Sequence, residues 1–181
     1  EAVGWERPFW YESNAHLVEK FGDAVLPRTA EWDSRWWSPI INAEHLQMRE
    51  TAGMIDLTPF AIFDIVGPGA LGVVQRAAVR QMDVAVGKVI YTPVLSPRGG
   101  FKSDLTIMRL GTNHFRVVTG GAHGMADKKW FADLLPADGT AQIQDLTSSM
   151  TTLGVWGPND RAIIQSLTKA DMIEIYRNQL T

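Results

Sequence analysis

One acid stands out in a run that otherwise favours β-structure. The chain reads Tyr91-Thr92-Pro93-Val94-Leu95, then the turn cluster Ser96-Pro97-Arg98-Gly99-Gly100, then Phe101-Lys102-Ser103-Asp104-Leu105-Thr106-Ile107. Aspartate is disfavoured in strands, yet Asp104 sits next to Leu105 and near Ile107. If the hairpin turns about Arg98, residues whose numbers sum to 196 face one another, and Asp104 is expected across from Thr92 and beside Tyr91. A carboxylate, a phenol and a hydroxyl on one patch of sheet could hydrogen-bond a ring nitrogen or stabilise a developing cation, more strongly where water is excluded. The same acid could also share a solvated outward face with Lys102 and Thr106, and the pattern leaves both readings open.

Other chemistry is poorly represented. There is no Gly-x-Ser-x-Gly elbow, no phosphate loop ending in Gly-Lys-Ser/Thr and no His-Glu-x-x-His helix. FAD or NAD held in a Rossmann unit of this chain is not expected. The four histidines, His16, His45, His114 and His123, fall in different predicted elements without ligand spacing, so no metal site is expected. The chain has no cysteine, which excludes a disulfide framework, thiolate metal ligands and a cysteine nucleophile.

Charge and hydropathy narrow the partners. Lys and Arg number 17 against 20 Asp and Glu, a net charge of −3 without a basic block, so no nucleic-acid partner is expected. No apolar run approaches the ~20 residues needed to span a bilayer, and Glu1-Ala2-Val3-Gly4-Trp5-Glu6-Arg7 lacks the layout of a targeting peptide. A cytoplasmic location is expected, or the mitochondrial matrix in a eukaryotic cell. Without an initiator Met or a closing signal, the sequence reads as a piece of a longer polypeptide.

The elements that must position the hairpin follow from periodicity and turn residues. The first forty residues hold Trp5, Trp10, Trp32, Trp36 and Trp37 among Pro8, Pro27 and Pro39, and read as an irregular Trp-rich arm over 1–40 packing on the domain. A helix is expected from Pro39 to Gly53. Strands are expected at Met54–Leu57 and Ala61–Val66, the latter closed by Gly67-Pro68. Further expectations are a helix over Ala70–Arg80, strands over Lys88–Leu95, Phe101–Leu110 and Phe115–Thr119, and a helix over Ala126–Leu135. Strands near Ala141–Asp145 and Thr151–Trp156 and a helix over Asn159–Leu167 complete the pattern. The stretch from Val66 to Gln75 is echoed from Trp156 to Gln165, each with a strand, Gly-Pro, a helix and Gln. The fold class is α+β, a mixed or antiparallel sheet with flanking helices.

An ordered series of short matches resembles the glycine cleavage T-protein (aminomethyltransferase) family, especially the folate-binding part of dimethylglycine and sarcosine dehydrogenases and oxidases. The matching residues are Gly4-Trp5-Glu6-Arg7-Pro8, Glu44 with Arg49, Gly53-Met54-Ile55-Asp56-Leu57-Thr58-Pro59-Phe60 and Val66-Gly67-Pro68-Gly69-Ala70. They continue with Tyr91-Thr92, Gly99-Gly100 with Asp104-Leu105, Val117-Val118-Thr119-Gly120 and Gly157-Pro158. The resemblance implies a tetrahydrofolate-binding domain over 41–181, cut short relative to the family. It places the catalytic Asp, second acid of a Gly-Gly-x-x-Asp-Asp-Leu pattern, on Asp104, with Ser103 at the first acid. Tyr91, Phe60, Thr119 and Thr92 are the expected cofactor-binding positions, Thr119 standing where the T-protein has Asn.

The implied reaction is capture of a one-carbon unit. An iminium or formaldehyde equivalent from a demethylated amine would give 5,10-methylenetetrahydrofolate, with FAD confined to a separate flavin oxidoreductase domain or partner. The alternatives are a non-catalytic folate-binding or assembly module of the same fold, and a ligand-free fragment that exposes its aromatic arm to a partner.

Overall fold

The structure, a computed structural model, describes residues 8–175. In chain order its regular elements are α1 (His16–Phe21), α2 (Glu31–Ser34), α3 (Pro39–Glu50), β1 (Gly53–Asp56), β2 (Ala61–Val66), α4 (Ala70–Ala77), β3 (Val89–Leu95), β4 (Phe101–Gly111), β5 (His114–Thr119), α5 (Gly124–Ala132), β6 (Gln142–Asp145), β7 (Leu153–Trp156) and α6 (Asp160–Leu167). They fall into two units, one of residues 8–56 with 153–175 and the other of residues 57–152. That division lies elsewhere than the boundary near residue 40 expected from the sequence.

In the first unit α3 starts where Ser38 accepts a hydrogen bond from the Ile40 amide at 3.2 Å and Pro39 fills the first turn. Its polar side chains fasten the preceding arm. Glu44 accepts from the Tyr11 amide and the Asn14 side chain at 3.0 and 2.7 Å, Asn42 accepts from the Leu26 amide at 2.9 Å, and Gln47 accepts from Lys20 at 2.7 Å. Leu17, Ile40 and Ala43 are buried in this unit. The arm, expected to be irregular, carries α1, α2 and two 3-10 turns, and α3 fixes it at the Tyr11 and Leu26 amides and at the Asn14 and Lys20 side chains. Burial of its tryptophans is not general, since Trp32 is 84% and Trp36 63% exposed, and Trp5 lies outside the described residues. β1 and β7 form a two-stranded antiparallel sheet.

The second unit is a five-stranded sheet in the order β3-β4-β5-β2-β6, antiparallel at every junction. α4 and α5 pack on one face, where Phe63, Ile65, Val74, Met82, Ile107, Phe115, Val117 and Phe131 are sealed from solvent. Phe63 and Phe131 meet edge to face at 5.4 Å. Each such side chain contributes roughly 1.5–3 kcal/mol by leaving water. Pro93 is tolerated because β3 is an edge strand. α4 ends at Ala77, earlier than the expected Arg80, since Gln75 captures the Arg80 carbonyl and the Met82 amide at 3.1 and 2.8 Å and draws the chain out of the helix.

The junction from β2 to α4 contains Gly67-Pro68-Gly69-Ala70-Leu71-Gly72, which has the spacing of a dinucleotide-binding turn. Its setting is different. β2 has only antiparallel neighbours, and a Cβ on Gly67 or Gly69 would lie 2.3 Å from the Thr140 carbonyl oxygen or 2.6 Å from its hydroxyl. Thr140 occupies the space that a pyrophosphate needs in a Rossmann turn.

The echo in the sequence is a structural repeat. Gly67 and Gly157 both take positive φ, 114° and 126°. Gln165 bonds the Ala170 carbonyl and the Met172 amide at 2.9 and 3.0 Å, at the same offsets used by Gln75. Gly67→Ala is expected to lower stability by about 2 kcal/mol or more, from positive φ and the clash with Thr140. Gly72→Ala, in open space within α4, is expected to raise it by roughly 0.5–1 kcal/mol, both measured by chemical denaturation.

Candidate functional site

Side chains along a strand alternate between faces, so register decides what meets at Asp104. β3 and β4 pair Thr92 with Leu105, Pro93 with Asp104, Val94 with Ser103 and Leu95 with Phe101. Lys102 is left without a partner, a β-bulge that moves the pairing one residue from the expected register. Asp104 therefore faces Pro93 rather than Thr92. Lys102 departs too, its ammonium lying 4.8 Å from the Trp130 ring centroid on α5, so it does not share the outward face with Asp104.

Asp104 and Tyr91 meet on the face opposite α4 and α5. Both are exposed, and the Tyr91 hydroxyl donates to Asp104 Oδ2. That hydrogen bond, with smaller help from desolvation and the negative charge, raises the Tyr91 phenol above its ordinary value near 10. Thr106 and Val118, paired across β4 and β5, extend the same face beside them.

The other expected positions lie close by but point elsewhere. Thr92 is fully buried on the helix face, where its hydroxyl accepts from the Arg80 amide at 3.2 Å and donates to the Pro93 carbonyl at 3.1 Å. Thr119 is also buried there, donating to Asp127 at 2.6 Å. Phe60 is half-buried in the turn before β2, its amide bonded to the Leu57 carbonyl at 2.9 Å. Ala61 pairs with Thr119, which puts Phe60 at the same end of the sheet as Asp104. The segment after β5 packs closely against this turn, where a Cβ on Gly121 would meet the Pro59 carbonyl and one on Gly124 would meet Ala61. The fold thus brings Asp104 and Tyr91 into contact, and sets Thr92 and Thr119 behind the sheet.

Two buried acids escaped the sequence reading. Asp64, 2% exposed, takes two hydrogen bonds from the Arg116 guanidinium at 2.8 and 3.0 Å, with His114 Nε2 at 2.6 Å. Burial pushes its carboxyl up, but the hydrogen bonds and charges of Arg116 and His114 outweigh it and hold the group below the usual carboxylate value. The signal was present, since an acid interrupts the apolar strand Ala61-Ile62-Phe63-Asp64-Ile65-Val66 just as Asp104 interrupts its own. Asp127, 6% exposed in the first turn of α5, has no comparable signature, because an acid there suits any helix.

An antiparallel sheet with helices on one face and an aspartate–tyrosine pair on the other defines an α+β class. A match to the GCVT N-terminal domain covers residues 1–176, and the chain belongs to that family. It is 36% identical over 137 residues, 75% of its length, to 4-methylaminobutanoate oxidase (formaldehyde-forming) of Paenarthrobacter nicotinovorans. Over 171 residues, 94% of its length, it is 28% identical to mitochondrial dimethylglycine dehydrogenase of Rattus norvegicus. The chain spans 16% and 19% of those two relatives. The crystal structure of glycine cleavage system aminomethyltransferase T from Bartonella henselae superposes with a TM-score of 0.64 at 25% identity, covering 83% of this chain and 42% of that one. Among the described residues no helix is long and apolar enough to cross a membrane.

Two measurements check this geometry. Asp104→Ala is expected to return the Tyr91 titration, followed by NMR of ¹³C-labelled tyrosine, to the ordinary phenol range, because the charge and its hydrogen bond are gone. Arg116→Met is expected to cost about 3 kcal/mol at neutral pH by stranding a buried carboxylate. Because the folded pKa of Asp64 is depressed, its stabilisation is present above the unfolded value near 3.9 and lost as pH falls through the folded one. The deficit of the variant should therefore narrow in acid.

Proposed function

We propose that this chain is the folate-binding part of a folate-dependent one-carbon transferase acting on a demethylated amine. The observation that carries the reading is the contact between Asp104 and Tyr91 on the open face of the sheet, at the end where the turn holding Phe60 also lies. Its support is membership of the GCVT N-terminal domain family and similarity to enzymes named for amine oxidation and aminomethyl transfer.

An exposed carboxylate beside a phenol, with the Thr106 hydroxyl and the apolar Val118 on the same face, suits a flat heterocycle that carries N–H donors. Tetrahydrofolate, as the resemblance implies, supplies the nitrogen nucleophiles that take up the carbon. Asp104 would accept a hydrogen bond from an N–H of that group, and its fixed charge would stabilise the cation of an incoming iminium. Tyr91 donates to Asp104, which holds the carboxylate in one orientation, and its exposed ring offers an apolar surface for the heterocycle. The one-carbon unit would come from a flavin oxidoreductase domain or partner carrying the FAD, in the cytoplasm or mitochondrial matrix.

The test is made in the intact protein, with a methylated amine and tetrahydrofolate. Asp104→Ala is expected to lower the ratio of carbon captured on folate to formaldehyde released by roughly a hundredfold or more. Tyr91→Ala should weaken tetrahydrofolate binding measured by calorimetry. Unchanged capture in Asp104→Ala sinks the catalytic assignment, and saturable binding with no capture in the wild type favours a non-catalytic folate module.

A further inference from the structure

The β4–β5 ladder begins at the pair Thr106 and Val118. The part of β4 that carries Asp104 therefore keeps ladder bonds only with β3, itself an edge strand interrupted by Pro93 and faced by the bulge at Lys102. Something else must tie this stretch to the rest of the sheet. A slip of one residue would turn Asp104 toward the helices and bring Ser103 to the open face.

Asp127 supplies the tie. One carboxylate oxygen, Oδ2, accepts from the Ser103 hydroxyl of β4 at 2.8 Å and from the Thr119 hydroxyl of β5 at 2.6 Å. Its own backbone amide is fixed to the His123 carbonyl at 2.9 Å, at the start of α5. Both strands are thus joined through one atom at the end of the sheet where their direct pairing has stopped. All three side chains are buried. Among the described residues the hydrogen bonds to this carboxylate come from these two hydroxyls and no cation pairs with it, an expensive way to bury a charge if packing were its only purpose.

We infer that Asp127 is a positioning residue that holds Asp104 on the open face of the sheet, acting through Ser103 and braced by Thr119. Ser103 and Asp104 are consecutive strand residues, so fixing the first against α5 obliges the second to project from the opposite side. Where this sequence departs from its resemblance pattern, at Ser103 and Thr119, the two departures meet on a single oxygen. An acid at 103 would face a second carboxylate there, whereas a serine hydroxyl donates to it.

The catalytic consequence rests on the proposed role of Asp104; the geometry does not. The experiment therefore has two readouts in the intact protein. The first is the Tyr91 titration by ¹³C-tyrosine NMR without folate, which reports whether Asp104 still meets the phenol. Asp127→Ala and the milder Ser103→Ala are expected to move it toward the position found for Asp104→Ala, while Asp127→Asn, which keeps a carbonyl acceptor, restores most of the wild-type behaviour. The second readout is folate-dependent capture, expected to fall roughly ten- to a hundredfold in kcat in Asp127→Ala with a smaller change in KM.

A wild-type Tyr91 titration in folded Ser103→Ala and Asp127→Ala overturns the inference and leaves Asp127 a stability residue only. If Asp127→Ala does not fold, Ser103→Ala decides alone. Should the titration move while Asp104→Ala leaves capture unchanged, the positioning stands and the proposed function fails.

Discussion

Burial of one sheet face is the constraint on which the second unit depends. Because α4 and α5 cover a single side, every strand residue is committed to the apolar interior or to the open face, and the commitment alternates along each strand. Phe63, Ile65, Phe115, Val117, Leu105 and Ile107 take the interior positions, and that choice leaves Asp104, Thr106, Arg116 and Val118 on the other side. That face carries Asp64, Asp104 and Arg116 together with the apolar Ile62 and Val118 as a consequence of what the core needs. No residue there can be moved by one position without sending an apolar neighbour into water.

The same constraint explains why the charged groups of the sheet come in two kinds. Asp64 lies on the face away from the core yet is screened from solvent, so its carboxylate takes Arg116 from the strand paired with it and His114 from the diagonal position. Asp104 lies near the edge, stays exposed and takes only the neutral phenol of Tyr91 among the described residues. A carboxylate already committed to a guanidinium has little left to offer a ligand; one held by a phenol keeps its charge available. This difference, more than the presence of an acid in a strand, separates the candidate site from its structural neighbour.

Irregularities carry as much of the design as the regular elements. The bulge at Lys102 removes a cation from beside Asp104 and sends it over Trp130. Gly121 and Gly124 let the turn before β2 and the start of α5 approach to backbone contact, which places Asp127 within reach of Ser103 and Thr119. The Gly67 turn repeats at Gly157 with the same glutamine bonds after each helix, although the two sequences share few identical side chains. Local backbone demands preserve such a turn where side-chain identity does not.

Sequence alone determined the succession of elements after residue 40, the α+β class, the internal echo and the nearness of Asp104 to Tyr91, because periodicity, Gly-Pro punctuation and an acid out of place are local signals. It misjudged what depends on register. A bulge adds one residue without a distinctive composition, so Thr92 was set opposite Asp104 when its side chain lies behind the sheet. The glycine spacing at Gly67-x-Gly69-x-x-Gly72 needed the antiparallel neighbours of β2 and the approach of Thr140 to be understood. Asp127 could be found only in three dimensions, for its two partners stand 24 and 8 residues away and nothing but the packing of α5 brings their hydroxyls to one oxygen.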